Sequence, residues 1–169
     1  IKGSGMAGLA CMLHDLGHEI IGYDDLKYFA VTEPPLRERN IPIYYDTDHL
    51  ESGMTVINTA AIHEDHQVMK KARLLGLDVK GYFEMIGDFT RVYDSICISG
   101  THGKTTTTSM VSEILLGADK DPTLSIGGIL KTIDGNLRIG KSDYFVTEAC
   151  EYTNSFLSFF PKVSVILNV

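Results

Sequence analysis

No run of lysine or arginine occurs in the sequence, and 15 basic residues face 22 acidic ones for a formal charge of -7. That balance argues against a nucleic-acid footprint, and no nucleic-acid partner is expected. No apolar run approaches the ~20 residues needed to span a bilayer, so no membrane partner is expected either. The start lacks a basic segment followed by an apolar one, so no signal peptide is expected. Cysteine is scarce: Cys11, Cys97 and Cys150 are odd in number, far apart and in apolar surroundings. They read as reduced core residues of a cytoplasmic protein rather than as a disulfide framework or a zinc site. Tryptophan is absent, yet 44% hydrophobic and 22% charged residues are ordinary for a globular chain. A length of 169 residues suits one large or two small domains with a real core.

The chain is organised around Ile96-Cys97-Ile98-Ser99-Gly100-Thr101-His102-Gly103-Lys104-Thr105-Thr106-Thr107-Thr108. A β-branched run ends in a glycine turn, followed by lysine, a hydroxyl run and an amphipathic segment from Met110 to Leu116. Strand, loop and helix in that order make a phosphate cradle, because loop N–H groups and a helix N-terminus offer positive charge to phosphate oxygens. Gly100 and Gly103 permit the tight turn, Lys104 would reach the outer phosphates, and the Thr105 hydroxyl would sit on Mg²⁺. The loop is shorter than the general G-x-x-x-x-G-K-[ST] pattern. A plain tight turn would not account for four successive threonines, which are poor helix formers, directly after Gly-Lys.

A second glycine motif, Gly3-Ser4-Gly5-Met6-Ala7-Gly8, opens a helical segment through Leu16, with Leu9, Ala10, Leu13 and Leu16 on one side. The strand Glu19 to Tyr23 follows, and Asp24 or Asp25 falls about 20 residues after the glycines, where a dinucleotide fold places its ribose-binding acid. Pro34-Pro35 argues against a continuous helix there, leaving at most a short piece at Leu36 to Arg39. Pro42 to Tyr45 and Met54 to Asn58 read as strands, the latter ending at Thr59-Ala60-Ala61, a loop positioned to face a ligand. Glu64 to Leu75 reads as a helix, with Val68, Met69, Ala72 and Leu75 buried; Leu77 to Lys80 reads as a strand and Tyr82 to Phe89 as a helix. This alternation predicts a parallel, doubly wound sheet, its first unit ending near Tyr93.

In the second unit, Thr123 to Ile126 reads as a strand leading to Gly127-Gly128, and Asn136 to Gly140 as a turn. Tyr144 to Glu148 reads as a strand carrying an acid at its C-terminal end, where a Walker-B-type carboxylate holds Mg²⁺. Glu151 reads as solvated. His63 and His66 do not match a metal motif and read as a surface cluster at a helix start, whereas His102, inside the phosphate loop, would orient the loop or contact a phosphate. Both ends read as cut: Ile1 rather than Met opens the chain, and the strand Val163 to Val169 stops where a loop is expected.

The loop Gly100-Thr101-His102-Gly103-Lys104-Thr105-Thr106-Thr107 resembles the ATP loop of the Mur ligases, and His102 is the variant typical of that family's alanine-adding and murein-peptide-joining members. The match extends over Gly3 to Ala10, Thr59-Ala60-Ala61-Ile62, Asp121-Pro122-Thr123 with Gly127-Gly128, Gly135-Asn136 with Arg138 and Gly140, and Glu148 to Tyr152 with Phe156-Leu157. The resemblance implies an α/β fold: a Rossmann-like parallel-sheet UDP-sugar domain over residues 1–93, then the start of a P-loop α/β ATPase domain over 94–169. It implies ATP and Mg²⁺ as cofactors, with UDP-N-acetylmuramate and L-alanine as substrates joined through an acyl phosphate. Gly3, Ser4, Gly5 and Met6 would hold the UDP diphosphate, with Asp24, Thr59, Ala60 and Ala61 near the uridine. Gly100, Thr101, His102, Gly103, Lys104, Thr105 and Thr106 would bind ATP. Lys104 and Glu148 would be catalytic, and Thr105 with Glu148 would bind the metal. Joining a murein peptide instead, or binding the UDP-sugar without catalysis, are the alternatives; a P-loop regulator or nucleotide kinase fits less well.

Overall fold

Gly3 sets where the first helix begins. In the computed structural model, which describes residues 1–30, 32–149 and 156–168, it is the N-cap of α1 (Ser4–Asp15), and Ala7 N–H donates to its carbonyl at 2.8 Å. Leu9, Ala10 and Leu13 are buried as their spacing predicts, while Leu16 is the C-cap and is 40% exposed. Packing divides the chain into two units, Ile1–Tyr82 and Phe83–Val169.

In the first unit, β1 (Gly22–Tyr23) pairs in parallel with β2 (Ile43–Tyr44), and α2 (Glu33–Glu38) lies between them in sequence. The prolines do not prevent that helix. Pro34 and Pro35 sit in its first turn, where backbone N–H groups have no intrahelical acceptor and proline is tolerated. Ala7, Ala10 and Cys11 of α1 pack with Leu36 and Ile41, flanked by Ile1, Ile20 and Ile43. A second parallel pair, β3 (Thr55–Asn58) with β4 (Asp78–Gly81), is bridged by α3 (Gln67–Leu75). Val56, Val68 and Ala72 form its core, and Leu75 is only half-buried. α3 starts later than the apolar pattern suggests because His66 is its N-cap, its Nδ1 accepting from Val68 N–H at 3.2 Å.

The second unit carries a five-stranded sheet of order β7-β6-β8-β5-β9, made of β5 (Asp94–Ser99), β6 (Thr123–Leu130), β7 (Gly135–Arg138), β8 (Tyr144–Glu148) and β9 (Val163–Ile166). All pairings are parallel except β6 with β7. The expected turn at Asn136 to Gly140 is therefore corrected: most of it is the edge strand β7, where Leu124 stands opposite Arg138. Successive residues of β8 point to opposite faces. Val146 joins Ile98, Leu124, Ile126 and Leu130 beneath Val111 and Leu115 of α5 (Lys104–Gly117), while Phe145 meets the Phe89 ring of α4 (Tyr82–Val92). Helices thus cover both faces of the sheet, as burial of a parallel sheet requires. α4 belongs to this packing: a Cβ on Gly87 would stand 2.1 Å from the Ser158 carbonyl oxygen, and Phe160 N–H donates to Thr90 Oγ1 at 2.8 Å.

Candidate functional site

The strand order creates a switch point. From β5 the chain crosses to β6 and then β8 on one side; after β8 it passes to β9 on the other. In open α/β sheets the crevice at such a point, outside the strand C-termini, is where ligands bind. The loop Gly100 to Gly103 occupies it. Gly100 has φ +142° and Gly103 has φ +84°, conformations that glycine adopts without a Cβ clash. Gly103 is the N-cap of α5, and the first helical bond there, Thr107 N–H to the Gly103 carbonyl, is 2.9 Å. The start of α5 therefore faces the crevice with its positive end.

The side chains around this helix start are mutually bonded. Lys104 Nζ donates back to the Gly100 carbonyl, closing the loop on itself. Thr105 Oγ1 donates to Glu148 Oε2 at 3.2 Å, and Glu148 Oε1 accepts the Gly127 N–H at 2.7 Å. Lys104, Thr105 and Glu148, singled out separately in the sequence, come from the ends of two adjacent strands, β5 and β8, and are brought together. Gly127 joins them from β6. Not every threonine of the run serves the crevice: Thr108 is buried, its hydroxyl donating to the Lys104 carbonyl at 2.8 Å. Thr106 is exposed on the first turn of α5. Glu151 and Cys150 lie outside the described residues.

Two oxygen ligands, the Thr105 hydroxyl and the Glu148 carboxylate, suit Mg²⁺, which is held by few protein groups and completes its shell with phosphate oxygens and water. Among the described residues no group of three or more His, Cys, Asp or Glu side chains is placed to hold a metal ion.

In the first unit, Gly3, Ser4, Gly5 and Met6 form the start of α1, whose first N–H groups have no intrahelical acceptor. Gly5 is also required for packing, since a Cβ there would approach the Tyr82 ring to 3.2 Å. Asp24, at the end of β1, accepts the N–H groups of Lys2 at 2.9 Å and Leu26 at 3.1 Å. Burial alone would push its carboxyl up, but these N–H bonds outweigh that and hold it below the ordinary range. Asp25 turns the other way. It accepts from Tyr23 Oη at 2.6 Å and from His66 Nε2 at 3.1 Å, which ties the segment carrying Thr59, Ala60 and Ala61 to the end of β1.

Two residues of these sites escape local sequence reasoning. Asn168, just beyond β9, bonds to both Thr101 and His102 of the phosphate loop. Lys2 is 6% exposed, and its Nζ donates to the carbonyls of Leu26 at 2.8 Å and Tyr28 at 2.6 Å and pairs with Glu33 at 3.0 Å. Lys2 thus ties Leu26, Tyr28 and Glu33 to the start of the first glycine loop. A lysine placed directly before the glycine motif was the one signal available for it.

The chain is similar to known proteins in sequence and fold. A family model described as "Mur ligase family, catalytic domain" matches residues 1–94. The UDP-N-acetylmuramate–L-alanine ligase of Agathobacter rectalis is 49% identical over the whole chain, which spans 37% of that relative's length. The crystal structure of UDP-N-acetylmuramate-alanine ligase MurC from Thermotoga maritima superposes with a TM-score of 0.86 at 27% identity, over 98% of this chain and 39% of that one. The crystal structure of UDP-N-acetylmuramate:L-alanyl-gamma-D-glutamyl-meso-diaminopimelate ligase from Neisseria meningitides shares the fold, with a TM-score of 0.82 at 22% identity over 98% of this chain and 57% of that one. With that family model matching more than half of its length, this chain belongs to the Mur ligase family.

Proposed function

We propose that the protein is an ATP-dependent ligase that joins L-alanine to UDP-N-acetylmuramate in peptidoglycan precursor synthesis. The observation that carries this is the cluster of Lys104, Thr105 and Glu148 at the switch point of the second unit, in a chain 49% identical throughout to a ligase of that name. The chain spans 37% of that relative, so the activity is assigned to the whole gene product. In this reading the reaction, which consumes ATP, takes place in the cytoplasm.

In this reading residues 94–169 supply the front of the ATP site, and residues 1–93 the UDP-sugar site. The N–H groups of Gly3 to Met6 hold the diphosphate, and Asp24 with Thr59 to Ala61 shapes the uridine end. Gly100 to Thr106 receive the ATP phosphates. The muramate carboxylate oxygen bonds to the γ-phosphorus as the bond to the ADP oxygen breaks, giving an acyl phosphate and ADP. The alanine amine then bonds to the acyl carbon, phosphate departs, and the amine loses a proton. Lys104 and the loop N–H groups stabilise the charge that builds on the transferring phosphoryl oxygens. Thr105 and Glu148 would hold Mg²⁺, which neutralises phosphate charge. No protein nucleophile is needed, because ATP activates the carboxylate.

The test is phosphate release by the intact gene product with ATP, Mg²⁺, UDP-N-acetylmuramate and L-alanine. Release that requires both the muramate and alanine supports the ligase. Release with a murein peptide but not with alanine would reassign it to peptide joining. UDP-sugar binding without any release would leave a binding module.

A further inference from the structure

The bend of the phosphate loop is held by one carboxamide from the neighbouring strand. Asn168 Oδ1 accepts from Thr101 Oγ1 at 2.6 Å and from His102 N–H at 3.0 Å, and its Nδ2 donates to the His102 carbonyl at 3.0 Å. The orientation of the amide is dictated by the backbone, since a peptide N–H only donates and a carbonyl only accepts. The Thr101 hydroxyl has one proton, and that proton goes to Asn168. In the 3.1 Å contact between Thr101 Oγ1 and His102 Nδ1 the hydroxyl oxygen must therefore accept, and Nδ1 must carry the hydrogen. The neutral imidazole is thereby set with Nε2 unprotonated, an acceptor and not a donor toward phosphate oxygens.

We propose that Asn168 is a positioning residue for the nucleotide. It withdraws the His102 N–H from the donors offered to phosphate, holds the 101–102 bend, and through Thr101 selects the Nδ1–H tautomer of His102. His102 then serves the shape of the loop, and the phosphates are met by Lys104 and the start of α5. This rests on the reading of the loop as an ATP site.

The experiment combines the histidine tautomer, read by long-range ¹H–¹⁵N spectra of the intact protein, with steady-state ATP kinetics. Wild type is expected to show His102 as Nδ1–H. In Asn168→Ala and Thr101→Val the tautomer should move to Nε2–H and the ATP KM should rise about ten-fold, the effect of losing one or two hydrogen bonds, with kcat within about two-fold. Thr101→Ser keeps the hydroxyl and should restore both readouts. UDP-N-acetylmuramate affinity should stay at its wild-type value in all three. Thr101 is exposed, so its variants carry the test even where Asn168→Ala fails to fold. Wild-type tautomer and ATP KM in Thr101→Val, or in a folded Asn168→Ala, would overturn the proposal while leaving the ATP site standing. A wild-type protein that binds no ATP would overturn the nucleotide reading and the proposal with it.

Discussion

The Gly127 N–H donates to Glu148 Oε1 at 2.7 Å, and a Cβ built on Gly127 would stand 2.8 Å from Oε2 of the same carboxylate. One backbone position thus both holds the acid and leaves it room. Gly127→Ala should push the carboxylate off its place beside Thr105. Gly127 lies exposed toward the end of β6, so the fold should tolerate the change. We expect ATP turnover to fall by about 10- to 100-fold and to need more Mg²⁺, with the melting temperature little altered. A Mg²⁺ titration of wild type and Gly127→Ala checks this; unchanged Mg²⁺ dependence would remove Gly127 from the site.

Lys104 is the only Lys or Arg within the loop sequence Gly100 to Thr106. Lys104→Ala removes the charge proposed to meet the outer phosphates and the bond that closes the loop on the Gly100 carbonyl. Turnover should drop by about 10²- to 10³-fold. Isothermal titration with UDP-N-acetylmuramate should show unaltered affinity, since the first glycine motif is separate in sequence.

Acid should loosen the first unit. Hydrogen bonds from Lys2, the Ala30 N–H and Arg37 hold Glu33 at a pKa of about 2, below its ordinary 4.5. A carboxyl whose folded pKa is depressed contributes stability that is present above its ordinary value and lost as pH falls through the folded one. The midpoint of denaturation should therefore drop between pH 4.5 and about 2, and Glu33→Gln should flatten that limb. Lys2→Met leaves the Glu33 charge without its buried partner and should lower the melting temperature by several degrees at neutral pH. An acid limb of the same steepness in Glu33→Gln would assign the effect to other carboxylates.

Leu124 is completely buried between Ile98, Ile126 and Val146. Leu124→Ala should cost about 2–5 kcal/mol of stability, the sum of lost transfer energy and the cavity left behind. Chemical denaturation followed in the second unit measures it, and a loss below about 1 kcal/mol would mean that the site collapses around the smaller side chain.

Burial pushes the Cys97 thiol up to about 12, and the residue is 2% exposed in β5. Almost no thiolate exists near neutral pH, so Cys97 should resist alkylation in the folded protein and react on unfolding. Peptide mapping after timed labelling distinguishes it from Cys11 and Cys150; rapid native labelling at Cys97 would contradict its burial.

Local chemistry was legible in the chain because it repeats at short range. Glycines followed by Lys-Thr after a β-branched strand spell a tight strand-to-helix loop, and the apolar spacing of Leu9, Ala10 and Leu13 or of Val68, Met69 and Ala72 spells buried helix faces. The end of β8 at Glu148 was legible for the same reason. Local patterns misled where the rule had a positional exception: Pro34 and Pro35 are compatible with a helix in its first turn, and Asn136 to Arg138 form a strand because β6 offers them an edge.

Relationships that span distant segments came from the packing of the whole fold. Thr105 and Glu148 are 43 residues apart, Thr101 and Asn168 67, and Lys2 lies 31 positions before Glu33. No periodicity encodes such pairs, because a hydrogen bond or ion pair between remote residues depends on strand order and register. Local residue patterns settled most of the strands and helices and the glycine loop, because propensity, apolar spacing and turn chemistry act at short range. The parallel packing of β8, β5 and β9 decided that a carboxylate and a carboxamide would meet that loop from either side.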